Sequence, residues 1–128
     1  MTAPSTNRFE LKRSELWTLV GGGDYSGKAR PAVILQSDLY RHLGSVTLCA
    51  LTSTGEDFLR SRPRVEPTPE NGLRQLSFVM VDKISTVRKE RLDTRIGVLM
   101  ADDMARIEAA LVVFLGIQAD LAHPPLAR

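Results

Sequence analysis

Five short runs of branched, aromatic and aliphatic residues, at 15–20, 31–35, 46–51, 64–66 and 77–81, are each closed off by Gly, Pro, Ser or Asn. Runs of this length and content between turn formers predict strands, so most of the chain is committed to a sheet that must bury its own faces. The run Pro31-Ala32-Val33-Ile34-Leu35 has no polar alternation. It predicts a strand buried on both sides, with Pro31 tolerated because it stands first. Only one segment has a helical period. From Asp102 to Leu115, Met104, Ile107, Leu111 and Leu115 recur at spacings of three and four, acids open the first turn and Gly116 follows as a stop. That stripe is expected to bury on the sheet. Beyond Glu108 the helix is apolar on nearly every side, through Val112, Val113 and Phe114, which calls for a second surface: another copy of the chain, or one strongly curved sheet wrapped round it. The fold class expected is mostly β with one long C-terminal helix, in the form of a small barrel.

Length and composition narrow the setting. A chain of 128 residues fits one domain, and 43% apolar with 25% charged residues suits a folded chain with no membrane span. The polar opening, 1–12, reads as an arm in which Phe9 and Leu11 could pack; 13–118 is the domain, and 119–128, with Pro124 and Pro125, a tail. A single cysteine, Cys49, allows no internal disulfide, and with His42 and His123 as the only histidines the usual Cys/His metal clusters fail for lack of ligands. No metal or cofactor is expected. The opening residues lack a secretory pattern, so the expected compartment is a reducing cytoplasm, with no membrane partner. A formal net charge of +2 permits a polyanionic partner without requiring one.

The chemistry-bearing candidates stand at strand ends. Gly21-Gly22-Gly23 lacks the spacing of either phosphate-binding glycine motif, and a strand rather than a helix follows it. It reads as a connector that brings Asp24, Tyr25 and Lys28 to the mouth of a sheet, or as a hairpin loop with incidental charges. Arg30 opens the buried strand, where a rigid origin suits a planar fork of donors to phosphate. Thr52, Ser53 and Thr54 follow the apolar run directly; their hydroxyls either bind a phosphate oxygen or cap a turn. Asp82 leaves another apolar strand with Lys83 beside it, as an acid poised for chemistry or as half of a solvated ion pair. Arg60, Arg62, Arg64, Arg74, Lys83, Arg88, Lys89, Arg91 and Arg95 crowd the middle of the chain. They form either a surface that tracks phosphates or a solvated face. The stretch 67–72 ends in Asn71-Gly72 and reads as a hairpin-type turn.

These blocks resemble a known family. Glu15-Leu16-Trp17, then Gly23-Asp24-Tyr25-Ser26-Gly27-Lys28-Ala29-Arg30-Pro31-Ala32-Val33-Ile34-Leu35-Gln36-Ser37-Asp38, then Leu51-Thr52-Ser53, Asn71-Gly72-Leu73-Arg74 and Val79-Met80-Val81-Asp82-Lys83 resemble the MazF/PemK toxin ribonucleases of bacterial toxin-antitoxin pairs, in the family's order. The resemblance runs from about Arg13 to Ile117. It implies a small SH3-like barrel of the kind shared with the CcdB gyrase toxins, usually a homodimer. It further implies metal-independent cleavage of single-stranded RNA at short sequences and inhibition by a cognate antitoxin that blocks the groove.

Carried over position by position, the resemblance makes Arg30 and Thr52 catalytic, with Ser53 and Asp82 as further catalytic or phosphate-orienting candidates. Asp24, Tyr25, Lys28 and Lys83 become candidates for RNA contact. Ser14 stands where the family commonly has Gly, and Met80 where some members have a second arginine. The chemistry is simple in principle: RNA carries its own nucleophile, so a site must hold the 2′-hydroxyl in line, assist proton transfer and stabilise charge on the phosphoryl oxygens. Arg30 suits the last task and is a poor base, because it stays protonated. Asp82, Asp24 and a bound water are the candidates for base. The alternative function is a non-catalytic or protein-targeting toxin barrel of the same fold, binding RNA or inhibiting gyrase.

Overall fold

The computed structural model describes residues 10–21, 29–54 and 62–118. Five strands occupy the apolar runs: β1 (Glu15–Leu19), β2 (Arg30–Ile34), β3 (Ser45–Thr52), β4 (Arg64–Val65) and β5 (Ser77–Val79). Two more, β6 (Ser85–Arg88) and β7 (Leu92–Val98), lie in the basic stretch, and α1 (Ala101–Leu115) closes the described chain. β6 is mostly exposed, so no burial pattern marks it in the sequence. All pairings are antiparallel, in the order β4-β5-β3-β2-β1-β7 with β6 also on β3. The long strand β3 is the hub. One edge pairs with β2, and the other carries β6 on its first half and β5 on Leu51 and Thr52.

The result is a half-barrel whose open side is spanned by the connection between β4 and β5. Val98 N donates to Glu70 O at 3.0 Å, tying this strap to β7. The Asn71 side chain fixes the strap's shape: Oδ1 accepts from Thr68 N and Leu73 N, and Nδ2 donates to Glu66 O, at 2.9 to 3.0 Å. Gly72 has a φ of +70°, and a Cβ there would overlap the Ile96 carbonyl oxygen. Gly97 on β7 faces the strap in return, and a Cβ on it would overlap the backbone of Glu70 and Asn71. Two facing glycines therefore let strap and strand meet backbone to backbone. The expected Asn-Gly turn is thus a strap seated on the sheet.

Alternation along β1 and β2 divides the core into two clusters. Leu16, Val33 and Leu35 point to the side covered by α1, with Leu51, Val79, Met104 and Ile107. Trp17, Ala32 and Ile34 point to the other, with Leu19, Val46, Leu48 and Leu92. β2 is buried on both faces, as its unbroken apolar run predicts. Leu11, in the segment expected to be an arm, is 2% exposed and belongs to the second cluster. Phe9 and the tail 119–128 lie outside the described residues.

The helix departs from its predicted stripe. Met104 and Ile107 are buried and Leu111 is partly packed, but Leu115 is 49% exposed. Val112, Val113 and Phe114 are exposed as well, Val113 by 77%, so the sheet does not wrap the helix. Glu108, the acid near the stripe, pairs with Arg13 at 2.6 Å. Gly116 ends the helix in the left-handed region. Among the described residues no helix is long and apolar enough to cross a membrane.

Ser14 has a φ of +80°, the only positive value at a described non-glycine residue. Its N donates to Ile34 O and its O accepts from Leu99 N, so the ladder on both sides holds it there. Ser14→Gly should relieve that strain and raise stability by up to about 1 kcal/mol, net of the looser unfolded chain. Thermal unfolding would check this, and a lowered Tm would count against it.

Candidate active site

Register decides which side chains meet at the end of the sheet. Ala32, Val33 and Ile34 oppose Ala50, Cys49 and Leu48; Arg30, two residues before Ala32, and Thr52, two after Ala50, stand at the adjoining ends of β2 and β3 and line one cleft. On its other edge Thr52 opposes Phe78, and Ser53 and Ser77, the next residues along, both line the cleft. Arg30 also faces Leu19 of β1. These strand ends open into a cleft of about 550 Å³ whose lining includes Arg30, Thr52 and Ser53. The strap contributes Leu73, Arg74 and Gln75 to the same cleft, and β1 and β7 contribute Thr18 and Ile96.

Arg30 is half-buried. Thr52 is 7% exposed, and its Oγ1 accepts from Thr54 N at 3.2 Å and lies 3.0 Å from Thr54 Oγ1. The turn after β3 is therefore closed by the Thr52 hydroxyl, which fixes that oxygen at the edge of the cleft. Among the described lining residues two arginines, Arg30 and Arg74, carry charge and no carboxylate does, while Thr18, Thr52, Ser53, Thr54 and Ser77 supply hydroxyls. Such a lining attracts an anion and offers it both charged and neutral donors.

Asp82 and Lys83 are not brought to this cleft. They lie in the 3-10 turn Val81–Lys83, where Lys83 is exposed. The Arg62 guanidinium grips both oxygens of Asp82, at 2.9 and 3.0 Å, and that hydrogen-bonded pairing holds the carboxyl below the usual aspartate range. A carboxylate so occupied is a weak proton acceptor. Burial first, and the Asp82 charge second, push the Cys49 thiol up to about 12, so this cysteine is no nucleophile. Asp24, Tyr25 and Lys28 lie outside the described residues.

Most of the basic crowd is engaged within the fold. Arg62 pairs with Asp82, Arg64 with Glu66 and Arg95 with Glu15, and Arg91 donates to the carbonyls of Val20 and Gly21 at 2.9 Å. Lys89 is buried with its Nζ on the Arg41 carbonyl, and burial pulls its pKa below the ordinary lysine value. Arg60 lies outside the described residues. Of the described members of that crowd, only Arg74 lines the cleft. Gln75, Thr18 and Ile96 escape the sequence reading altogether. The strap's chemistry is visible there only as the Asn71-Gly72 turn, and β7 is masked by its charged neighbours.

A small antiparallel half-barrel with a terminal helix and a cationic, hydroxyl-lined cleft at its strand ends defines a compact β protein built to hold an anionic ligand. The chain belongs to the PemK-like, MazF-like toxin family of type II toxin-antitoxin systems, whose family model matches residues 12–115. It is 41% identical over 107 residues to the probable endoribonuclease MazF of Mycolicibacterium smegmatis, covering 84% of this chain and 98% of that protein. Its fold is similar to that of the Mycobacterium tuberculosis toxin MazF-mt6, with a TM-score of 0.67 and 29% identity over 80% of this chain and 99% of that one. A mycobacterial endoribonuclease solved in complex with its cognate antitoxin gives a TM-score of 0.69 at 23% identity, covering 86% and 99% of the two chains, and supports the fold alone.

Proposed function

We propose that this chain is an endoribonuclease toxin that cuts single-stranded RNA by attack of the substrate's own 2′-hydroxyl, and that a cognate antitoxin protein neutralises it. The observation that carries this reading is the meeting of Arg30 and Thr52, at the adjoining ends of β2 and β3, in an anion-attracting cleft. Arg30 directs its fork of donors at the nonbridging oxygens, where charge builds as the 2′-oxygen bonds to phosphorus. The Thr52 and Ser53 hydroxyls orient the same phosphate. The bond from phosphorus to the 5′-oxygen breaks, the 5′-oxygen takes up a proton, and the products are a 2′,3′-cyclic phosphate and a 5′-hydroxyl. No metal is needed to make the nucleophile, because the substrate brings it. The Arg62 pairing argues against Asp82 as the base, which leaves Asp24 or a water. Tyr25 and Lys28 are candidates for stacking and phosphate contact, and Lys83 for phosphates beyond the cleft.

The test is incubation of the purified chain with a mixed RNA pool, with and without EDTA, followed by mapping of the new ends. Cutting should survive EDTA and fail at a single 2′-deoxy sugar placed at the cut site; the reverse of either result rejects the mechanism. In this reading the antitoxin acts by covering the cleft, presenting carboxylates to Arg30. The compartment is the cytoplasm, where one buried, unpaired cysteine is at ease.

The same proposal extends to assembly. Val112, Val113 and Phe114 leave an apolar face on α1, and a second copy of the chain is its occupant. Val113→Asp would place an unpaired charge in that contact and should convert a dimer to monomers. Sedimentation checks it, and a monomeric wild type at micromolar concentration rejects it.

A further inference from the structure

Arg30, Thr52 and Ser53 address only what every nucleotide shares, its phosphate and sugar. Cutting at particular sequences needs a further group, with a donor and an acceptor side by side and a rigid origin, aimed at a base edge. Gln75 meets both conditions. It lines the same cleft as Arg30 and Thr52, and its side chain is exposed there. Its backbone is held on both sides. Ser77, buried at the start of β5, donates from Oγ to the Gln75 carbonyl at 3.0 Å. Two residues earlier Leu73 is buried in the core and its N donates to Asn71 Oδ1 at 2.9 Å. Arg74 and Gln75 thus form a short exposed bridge between two fixed points. Ser77 stands one step beyond the Thr52–Phe78 pair, so Gln75 is at most ~7 Å of chain from the rung beside Thr52. A nucleotide whose phosphate sits on Arg30 shares one cleft with Gln75.

We propose that Gln75 reads a base: its amide hydrogen-bonds the edge of the unstacked base next to the scissile phosphate and sets the cleavage preference at that one position. This rests on the ribonuclease reading above. Arg74, its neighbour, carries charge without an acceptor, so its contact is with the backbone and is blind to sequence.

The experiment uses the full chain and a random-sequence RNA pool, with cut ends mapped by sequencing for the wild type, Gln75→Ala, Gln75→Glu and Arg74→Ala. Gln75→Ala should reduce the preference at one position adjacent to the cut by roughly 5- to 100-fold, leaving the ranking at other positions unchanged. Gln75→Glu, which can only accept, should move that position toward cytosine, whose amino group donates to a carboxylate. Arg74→Ala should slow cutting of all sequences alike. A merely structural role for Gln75 would lower every rate together and keep the ranking. If both Gln75 variants keep the wild-type ranking, or if Arg74→Ala alone flattens it, the inference is overturned while the ribonuclease reading stands. If the wild type makes no new ends, the ribonuclease reading fails and the inference fails with it.

Discussion

Arg30→Ala should slow RNA cleavage by on the order of 100- to 1,000-fold, the loss that follows removal of one preorganised donor to transition-state charge. The effect belongs in turnover more than in binding, because the charge that Arg30 meets is largest when the 2′-oxygen is bonding to phosphorus. The fold should survive. The place of Arg30 in the sheet is made by backbone pairing with Leu19, so far-UV circular dichroism should change little. Arg30→Lys should recover only a small part of the rate, since a point charge replaces a planar fork. Single-turnover kinetics on one cleavable oligonucleotide would read both variants, and an unimpaired Arg30→Ala would remove this residue from the chemistry.

Gly97→Ala should be the most damaging single-methyl change in the sheet. The new Cβ would land on the backbone of Glu70 and Asn71, and backbone has no rotamer by which to give way. Either β7 or the strap must move, at a cost of about 3 kcal/mol. In a domain of this size that corresponds to a fall in Tm on the order of 10 °C. The strap also carries Leu73 into the core and Gln75 into the cleft, so lifting it should lower cleavage even below the new Tm. Gly44→Ala is the control, since a Cβ there meets nothing within 4 Å. Thermal unfolding of the two variants in parallel would check the contrast. Equal, small effects would mean that strap and strand are not locked together.

What the sequence discloses of this fold is what burial imprints on it. β2, and β3 from Leu48 to Leu51, carry their both-faces burial as unbroken apolar runs, and the stop at Gly116 follows from its left-handed geometry. β6 carries no such imprint. Its residues are largely exposed, and it is a strand because Ser45 to Leu48 lie beside it across some forty positions of chain. β7 shifts register against β1, so Leu92 and Ile96 pack into different clusters and no clean alternation marks the strand, while the charges at Asp93 and Arg95 and the basic turn before it read as solvated surface. The site divides in the same way. Arg30 and Thr52 are legible as strand ends, whereas Gln75 reaches the cleft only through the strap, whose path depends on glycines at 72 and 97 fitting face to face. The bidentate grip of Arg62 on Asp82 is a tertiary pairing that spacing does not encode.

Arg30 pairs with Leu19 of β1, and its strand, β2, sits between β1 and β3, not on a free edge. Freeing it means parting three adjacent strands, and in a domain with one sheet that amounts to unfolding the whole. Loosening of a hinge or melting of a terminus therefore does not free Arg30 from the sheet. In the proposed ribonuclease, restraint then falls to a partner that covers the cleft. For a cell holding such a toxin, the outcome would then turn on the number of copies against the amount of whatever covers the cleft.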